Sequence, residues 1–277
     1  MHHQCVQHQC VDHGQRWRSV IIQICVLASS SSGNCTFLRT ERTRILIDAG
    51  LSKRDVLARL AAIGEDAAKL DAILITHEHS DHVSGLVVLA KQFKLPIFAT
   101  RLTADSIPWG EYTPILDSFG AGMRFSVGDI EVGSFTVPHD AIDPVGFCFE
   151  AQGIKVGLVT DLGYITDSVR FHLRGADLLI LESNHDLEML RIGPYPWPVR
   201  QRIMGRMGHL SNDATCDFLR RDLDTRASTV VLGHLSEHNN HPATVRIQAE
   251  KALFGRGLFG PRLVVAEPKK QSEVFTY

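Results

Sequence analysis

Apolar residues recur along this chain with two periods, one typical of β-strands and one typical of amphipathic helices. Short apolar runs that end at Gly, Ser, Asn or Asp predict strands, because those residues favour turns. The predicted strands are 21–28, 35–39, 44–48, 71–76, 96–100, 123–127, 129–137, 145–151, 154–160, 177–182, 228–232 and 262–266. Apolar residues three or four positions apart predict helices at 51–63, 83–93, 165–173, 198–207, 212–222 and 242–254.

The order of these elements predicts the fold class. Two strand-rich halves follow one another, and each ends in alternating strands and helices, which suits two sheets packed face to face with helices outside. The class is therefore α/β, with one domain at 19–277, since such domains often run to about 200–250 residues undivided. Residues 1–18 carry no apolar period and predict a disordered N-terminal extension.

Composition narrows the classes of function. The formal net charge of −2 argues against a dedicated electrostatic DNA-binder, which usually carries a basic excess on one face. None of the 6 cysteines lies in a Cys-x-x-Cys pair, so a reducing, cytoplasmic location is expected. The longest early apolar run, 20–28, resembles a signal peptide, but a first strand explains it better. No membrane partner is expected.

The strongest chemical signal is the segment 76–82, which reads His77-x-His79-x-Asp81-His82 directly after a predicted apolar strand. A strand end that leads into a loop and a helix can direct three imidazoles and one carboxylate into a small volume. Imidazole nitrogen and carboxylate oxygen suit zinc, manganese or iron. Packing alone is a poor explanation for four such residues within six positions.

This segment resembles the signature of the metallo-β-lactamase fold superfamily. The resemblance implies a four-layer αβ/βα sandwich with two divalent metal ions, zinc or manganese, held between the sheets. It implies that His77 and His79 bind the first metal, and that Asp81 and His82 bind the second. Asp48, after another apolar strand, would brace the metal loop without binding a metal.

The resemblance implies three further ligands at later strand ends. His139 would complete the first metal site, Asp161 would bridge the two metals, and His234 would complete the second site. Simpler roles stay open: a surface histidine for His139 and a helix N-cap for Asp161. His238 and His241 lie close enough in sequence to compete with His234.

Two more segments indicate phosphodiester cleavage. The segment 208–214 contains His209 and Ser211 and resembles the His-Ser segment of tRNA 3′-processing ribonucleases of the RNase Z type. Glu182 occupies the position of a glutamate that orients the active-site histidine in those enzymes. A phosphodiester in contact with two metals still needs a proton donor for its leaving oxygen, which His209 would supply. Alternatively, Ser211 only caps a helix and His209 is an exposed loop residue.

The chain from about residue 21 to 277 resembles the WalJ (YycJ-like) family of bacterial metallo-hydrolases, and also the phosphoribosyl cyclic phosphodiesterases. The matching segments are 30–34, 139–141, 161–163, 182–186, 208–212 and 233–236. The family usually has Gly where this chain has Ser30. The resemblance implies a nuclease of exonuclease type or a cyclic phosphodiesterase that uses a hydroxide shared by the metals, with Asp81, His209 and Glu182 as catalytic residues.

Several alternatives remain open at this point. A thiolester or lactone hydrolase would use the same seven ligands, and a non-catalytic regulator of cell-wall signalling would bind the metals without turnover. The expected partner is a nucleic acid or nucleotide phosphodiester, and a homo-oligomer is compatible with the sequence. Arginines and aromatic residues interleave between 191 and 206, which suits nucleic-acid contact or an ordinary solvated loop equally well.

Overall fold

A computed structural model describes residues 22–255 and 260–277 of the chain. The first of its two sheets is formed mainly by the N-terminal half of the chain. Its seven strands have the order β14-β1-β2-β3-β4-β5-β6. They are β1 (Gln23–Ala28), β2 (Cys35–Arg39), β3 (Arg44–Ile47), β4 (Ala72–Leu74), β5 (Pro96–Thr100), β6 (Ile115–Phe119) and β14 (Phe275–Thr276). β1, β2 and β3 pair antiparallel, whereas β3 to β6 pair parallel.

The second sheet contains the remaining seven strands in the order β13-β12-β11-β10-β9-β8-β7. They are β7 (Arg124–Val127), β8 (Ile130–Thr136), β9 (Val145–Ala151), β10 (Ile154–Val159), β11 (Leu178–Glu182), β12 (Thr229–Gly233) and β13 (Arg262–Val265). β7 to β10 pair antiparallel, and β10 to β13 pair parallel. The carboxyl ends of β10, β11 and β12 therefore lie at one edge of this sheet.

Helices connect the strands. They are α1 (Lys53–Ala62), α2 (Ser80–Val83), α3 (Leu86–Phe93), α4 (Arg101–Ser106), α5 (Asp167–Leu173), α6 (Leu187–Ile192), α7 (Trp197–Met204), α8 (Asn212–Arg221) and α9 (Pro242–Phe254), with a short 3₁₀ turn at Ala67–Lys69. Among the described residues, no helix has both the length and the apolar character needed to cross a bilayer.

The alternation of side chains along each strand sets up the four layers. In β1, Ile24 and Val26 point between the sheets and pack against Phe147 and Leu158 of the second sheet. Leu27, on the opposite face, belongs to the cluster that covers the outside of the first sheet together with α1 and α3. α5, α8 and α9 cover the outer face of the second sheet. The predicted four-layer αβ/βα sandwich is confirmed.

The predicted elements differ from the observed ones mainly where polar residues obscure the pattern. The single predicted helix at 83–93 is divided at Ser84 and Gly85, so that Asp81 and His82 lie on α2 rather than in a loop. Strands β6 and β14 and helices α4 and α6 were not predicted. β6 is an edge strand with four exposed residues, which explains why it lacks an apolar pattern. The predicted extension at 1–18 lies outside the described residues, and the division at residue 19 stays a prediction.

The tight packing between the sheets yields a prediction for Phe147, which is 0% exposed. Replacing it with alanine should destabilise the protein by about 3–5 kcal/mol, because both transfer energy and packing are lost. The midpoint of urea unfolding measures this change. Phe171→Ala is the matched control, since Phe171 is 70% exposed and its loss should change stability by less than about 0.5 kcal/mol. Equal midpoints for the two variants would contradict the assigned core.

Candidate metal centre

The predicted metal-binding residues all lie where strands end. His77 and His79 follow β4, Asp81 and His82 form part of α2, and His139 follows β8. Asp161 is separated from the end of β10 by one loop residue, and His234 directly follows β12.

Backbone conformation marks three of these strand ends. Asp48, Asp161 and His234 have φ of 60°, 59° and 54°, in the left-handed region that non-glycine residues rarely occupy. Such conformations cost about 1–3 kcal/mol each and persist only where the surrounding structure imposes them. Three of them at one edge of the sandwich indicate that the side-chain directions there are under strong constraint.

A first group of potential ligands is formed by His77, His79 and His139, whose ring nitrogens lie within 4.8 Å of one another. His139 Nε2 is 3.2 Å from His79 Nδ1. The other nitrogen of His139, Nδ1, donates to the carbonyl oxygen of Gly208 at 3.1 Å, which fixes the ring and leaves Nε2 facing the group.

A second group combines Asp81, His82 and His234, again with ligand atoms within 4.8 Å of one another. Asp81 Oδ2 is 3.4 Å from His82 Nε2 and 3.5 Å from His234 Nε2. The carboxylate therefore lies between the two imidazoles, as a ligand of a shared cation would.

Asp161 connects the two groups. One of its carboxylate oxygens, Oδ2, is 3.3 Å from His82 Nε2, and the other, Oδ1, is 3.3 Å from His234 Nε2 and 3.9 Å from His139 Nε2. The seven predicted ligands thus surround one small volume, with the buried Asp161 in the middle.

Orphaned polar atoms test whether metal ions fit this volume. Within the described part of the chain, His77 Nε2, Asp161 Oδ2 and His234 Nε2 are buried without a hydrogen-bond partner. A buried polar atom without a partner is costly, and native structures rarely contain several together. Nitrogen and oxygen donors directed at a common point are the ligand set that divalent ions of the zinc and manganese type take. The residues present fit such ions.

Asp48 and Thr76 hold the first part of the metal loop in place. Asp48 Oδ1 accepts from the backbone N–H of Thr76 at 2.9 Å, and Asp48 Oδ2 lies 2.8 Å from His82 Nδ1. The Thr76 hydroxyl donates to Asp48 at 3.0 Å and lies 3.0 Å from His77 Nδ1. Asp48 therefore contacts the metal loop at Thr76, where the resemblance implied a bracing role, and it also contacts His82, which the sequence did not predict.

Glu182 is a second orienting carboxylate and is completely buried. Its Oε1 lies 2.8 Å from His209 Nδ1 and 2.9 Å from His234 Nδ1. Its Oε2 accepts from the backbone N–H groups of Leu162 and Leu210, both at 3.0 Å. One carboxylate thus orients His209, orients His234, and ties together the two loops that follow Asp161 and precede Ser211.

Electrostatics in the centre follow from burial and pairing. Burial alone would raise the pKa of Glu182, but the charges and hydrogen bonds of His209 and His234 lower it to about 2. Burial would lower the pKa of His234, but Asp161, Asp81 and Glu182 raise it to about 10. His209 behaves similarly, because Glu182 raises its pKa against the effect of burial.

Burial and pairing also compete at the remaining groups of the centre. Burial lowers the pKa of His77 well below its ordinary value, and the neighbouring His82 lowers it further. Burial also lowers the pKa of His139, although Asp161 opposes the change. The pKa of Asp81 is held below its usual range despite burial, because His234 and His82 lie beside its carboxylate. Carboxylates bind metal in the ionised form and imidazoles in the neutral form, so His82 and His234, whose pKa the neighbouring carboxylates raise, would release a proton when a metal binds.

The sequence analysis assigned no role to two residues at the centre, Asn34 and Gly50. The Asn34 side chain donates to Asp81 Oδ2 at 3.1 Å and lies 3.0 Å from His82 Nε2. Gly50 allows the loop after β3 to approach α2, because a Cβ there would clash with the carbonyl oxygen of Asp81. The turn residues between 30 and 34 were the available signal for Asn34, but a turn does not reveal what its amide contacts.

His238 and His241, which compete with His234 in sequence, lie in other surroundings. The side chain of His241 caps α9 by accepting from the backbone N–H of Ala243, and the ring of His238 contacts Tyr195. Neither belongs to a group of potential metal ligands among the described residues. The simpler reading of Ser211 is correct in part: it caps α8, while His209 two residues earlier contacts Glu182.

Comparison with known families and proteins gives a consistent result. Residues 43–235 match the model of the β-lactamase superfamily domain. The chain is 40% identical over 220 residues to exodeoxyribonuclease WalJ of Streptococcus pneumoniae serotype 2, covering 78% of this chain and 82% of that protein. It is 35% identical over 240 residues to exodeoxyribonuclease YycJ of Bacillus anthracis, covering 84% and 89%.

Among solved structures, the metallo-β-lactamase fold protein YhfI of Bacillus subtilis superimposes with a TM-score of 0.71 at 19% identity. The match covers 94% of this chain and 100% of that chain. At this identity the similarity concerns the fold, and it confirms the predicted one.

The contacts of Asp48 generate a prediction about metal affinity. Asp48→Asn keeps the side-chain volume but removes the charge that orients His82, so metal affinity should fall about 10–100-fold. Isothermal titration calorimetry of the metal-stripped protein measures this. Asp129→Asn is the matched control: like Asp48, Asp129 accepts from threonine hydroxyls, here those of Thr40 and Thr43 at 2.6 and 2.7 Å. Because Asp129 contacts no residue of the centre, equal losses in both variants would contradict the orienting role.

Proposed function

We propose that this chain, which belongs to the β-lactamase superfamily and to the family of the WalJ and YycJ exodeoxyribonucleases, hydrolyses DNA from a strand end. Membership of this family makes the chain a metal-dependent hydrolase of phosphodiester bonds. The observation that supports the finer proposal is the histidine and carboxylate centre joined by Asp161 and flanked by the Glu182–His209 pair. DNA as the substrate and attack from an end extend to this chain what the names of its relatives state.

Two divalent ions, zinc or manganese, are the proposed cofactors. His77, His79 and His139 would hold the first ion, Asp81, His82 and His234 the second, and Asp161 both. When bound, such ions lower the pKa of water and offset the negative charge of a phosphate. The absence of thiolate from the donor set is compatible with either metal.

The chain's own residues supply orientation and a proton. Glu182 Oε1 engages His209 Nδ1 at 2.8 Å, so Nε2 is the nitrogen that remains for the substrate. His209 retains 21% of its side-chain exposure, whereas Glu182 has none, so the imidazole faces the outside and the carboxylate lies behind it. A proton held on Nε2 can pass to the leaving oxygen of a phosphodiester, and Glu182 then stabilises the ring in its required orientation.

Asp81 has a second proposed task. Its carboxylate is partly exposed, whereas the other acidic residues of the centre are buried. The Asn34 side chain donates to its Oδ2 at 3.1 Å. An ionised, partly exposed carboxylate beside the reacting phosphate can accept a hydrogen bond from the attacking water and orient it. This role adds to its role as a ligand.

The other hypotheses fit less of the observed site. A thiolester or lactone hydrolase would use the metal groups but has no need for a histidine held by a buried glutamate beside them. A non-catalytic regulator of cell-wall signalling would have no need for that pair either. The Glu182–His209 pair therefore favours a reaction whose leaving group requires a proton.

A cytoplasmic location and a nucleic-acid substrate complete the proposal. Cys25, Cys35, Cys148 and Cys216 are buried as free thiols, which is compatible with a reducing compartment. Assembly as a homo-oligomer stays a prediction.

Metal removal and reconstitution test the proposed activity. Chelated protein should lose hydrolysis of end-labelled single- and double-stranded DNA, and zinc or manganese should restore it, with two ions per chain by mass spectrometry under native conditions. An exonuclease releases mononucleotides progressively from one end, which a denaturing gel resolves. Cleavage of a thiolester without cleavage of DNA, RNA or bis-p-nitrophenyl phosphate would overturn the proposal, as would metal binding without turnover. Hydrolysis of RNA without hydrolysis of DNA would show that the proposed DNA substrate is wrong.

The role of His209 is tested by His209→Ala. The variant should bind both ions, because His209 is outside the proposed ligand set, but its turnover should fall by about 10²–10⁴. His172→Ala serves as control, because His172 lies on α5 and contacts Phe135 rather than the centre. Full turnover in His209→Ala would exclude His209 as the proton donor. Loss of a metal ion from that variant would instead make His209 a ligand.

A further inference from the structure

A projecting segment next to the metal centre has no assigned role. We call residues 189–208, which include α7, the arginine rim. None of the residues of α7 is buried. Ile192, Trp197 and Met207 are 86%, 55% and 50% exposed, so three large apolar side chains of this segment face solvent. An exposed helix with apolar side chains at its surface indicates a binding surface.

The charge of the arginine rim contrasts with that of the whole chain. The rim contains the 4 arginines Arg191, Arg200, Arg202 and Arg206 and no acidic residue, whereas the chain has a net charge of −2. Two of these arginines are neutralised: Arg191 pairs with Glu188, and Arg202 pairs with Asp140. Among the described residues, no carboxylate forms a salt bridge with Arg200 or Arg206, so their charges are available to an anion.

The rim is attached directly to the candidate metal centre. The carbonyl oxygen of Gly208 holds His139, and the backbone N–H of His209 donates to the carbonyl oxygen of Ile203 at 2.9 Å. The backbone at Arg206 packs against Gly163, where a Cβ would clash with the Arg206 carbonyl oxygen. Gly163 lies two residues after Asp161. The rim therefore borders the centre through its backbone contacts with His139 and Gly163.

The two available arginines each lie over an aromatic ring. The guanidinium carbon of Arg206 is 4.2 Å from the ring centroid of Tyr164, and that of Arg200 is 5.5 Å from the ring of Trp197. A cation over the face of an aromatic ring is attracted to it. Trp197 thus combines exposure with a neighbouring positive charge.

We propose that the arginine rim binds the single-stranded end of the DNA substrate, with Trp197 stacked on an unpaired base and Arg206 bound to a phosphate near the metal centre. This inference rests on the proposed function, since it names the part of the substrate that the same site receives. Charge complementarity selects a polyanion. Exposed aromatic faces select unpaired bases, because the bases of a duplex already stack on one another.

Binding measurements separate the two contacts. Trp197→Ala should weaken binding of a single-stranded oligonucleotide roughly tenfold, within the range for loss of one base–aromatic stack. Trp197→Phe should recover most of that loss, because it keeps a stacking face. Arg206→Ala should reduce the slope of log affinity against log salt concentration by about 0.7, the value for one phosphate contact to a single strand. Trp197→Ala should leave that slope unchanged.

Phe171 and Arg174 provide a matched control pair. Phe171 is 70% exposed, and Arg174 is exposed next to it at the end of α5, which leads to the amino end of β11 and away from the metal centre. Phe171→Ala and Arg174→Ala remove the same kinds of group from a different surface. They should leave oligonucleotide affinity and its salt dependence as in the unaltered protein.

Kinetic assays of the metal-loaded protein separate this inference from the proposed function. For Trp197→Ala, the ratio of kcat/KM for single-stranded DNA to that for bis-p-nitrophenyl phosphate should fall about tenfold, because the small substrate has no base to stack. If the unaltered protein cleaves DNA but the rim variants match the control pair, the rim inference is wrong and the function stands. If the unaltered protein cleaves no phosphodiester, the proposed function fails first. Equal losses on duplex and single strands would exclude stacking on unpaired bases.

Discussion

The structure depends on burying carboxylates beside imidazoles at one edge of the sandwich. A buried charge is tolerated only when partners compensate for the lost water. Glu182 meets this condition with two imidazoles and two backbone N–H groups, and Asp48 meets it with Thr76 and His82. These two carboxylates fix the directions of the rings, so the open ring nitrogens converge on one volume around Asp161. The positions of the potential ligands follow from that arrangement.

The two sheets provide the rigidity that this arrangement needs. Asp48, Asp161 and His234 adopt left-handed backbone conformations, and each follows a buried, hydrogen-bonded strand. Register between β10, β11 and β12 aligns the ends that carry Asp161, Glu182 and His234. Residues of both sheets form one apolar core between them, which packs the sheet that precedes His77 and His82 against the sheet that carries Asp161 and His234. Strain at the centre is thus balanced by packing elsewhere.

The centre also shapes the surface around it. The loop that presents His209 continues from α7, and its carbonyl group at Gly208 holds His139. The proposed proton donor His209 and the arginine rim therefore share one stretch of backbone, and that stretch contacts the proposed ligand His139. The backbone contacts at Gly208 and His209 thus place the rim beside the centre.

Periodicity and local motifs were sufficient to predict much of this protein. Short apolar runs predicted most strands and the two-sheet sandwich, because strands buried on both faces, such as β1, β4, β11 and β12, are apolar at nearly every position. The segment from His77 to His82 predicted a metal site, because four candidate ligands lie within six positions. Resemblance to a known family supplied the remaining candidates and the pairing of Glu182 with His209.

Tertiary structure decided what local sequence does not encode. β6 and β14 exist because neighbouring strands offer them partners, not because of their own apolar pattern. The approach of Asn34 to Asp81 joins residues 47 positions apart. The choice of His234 over His238 and His241 depends on which side chain β12 directs toward Glu182. Sequence thus determined which residues can bind metal, and the packing of two sheets determined which of them meet, because convergence of distant strand ends is a property of the fold.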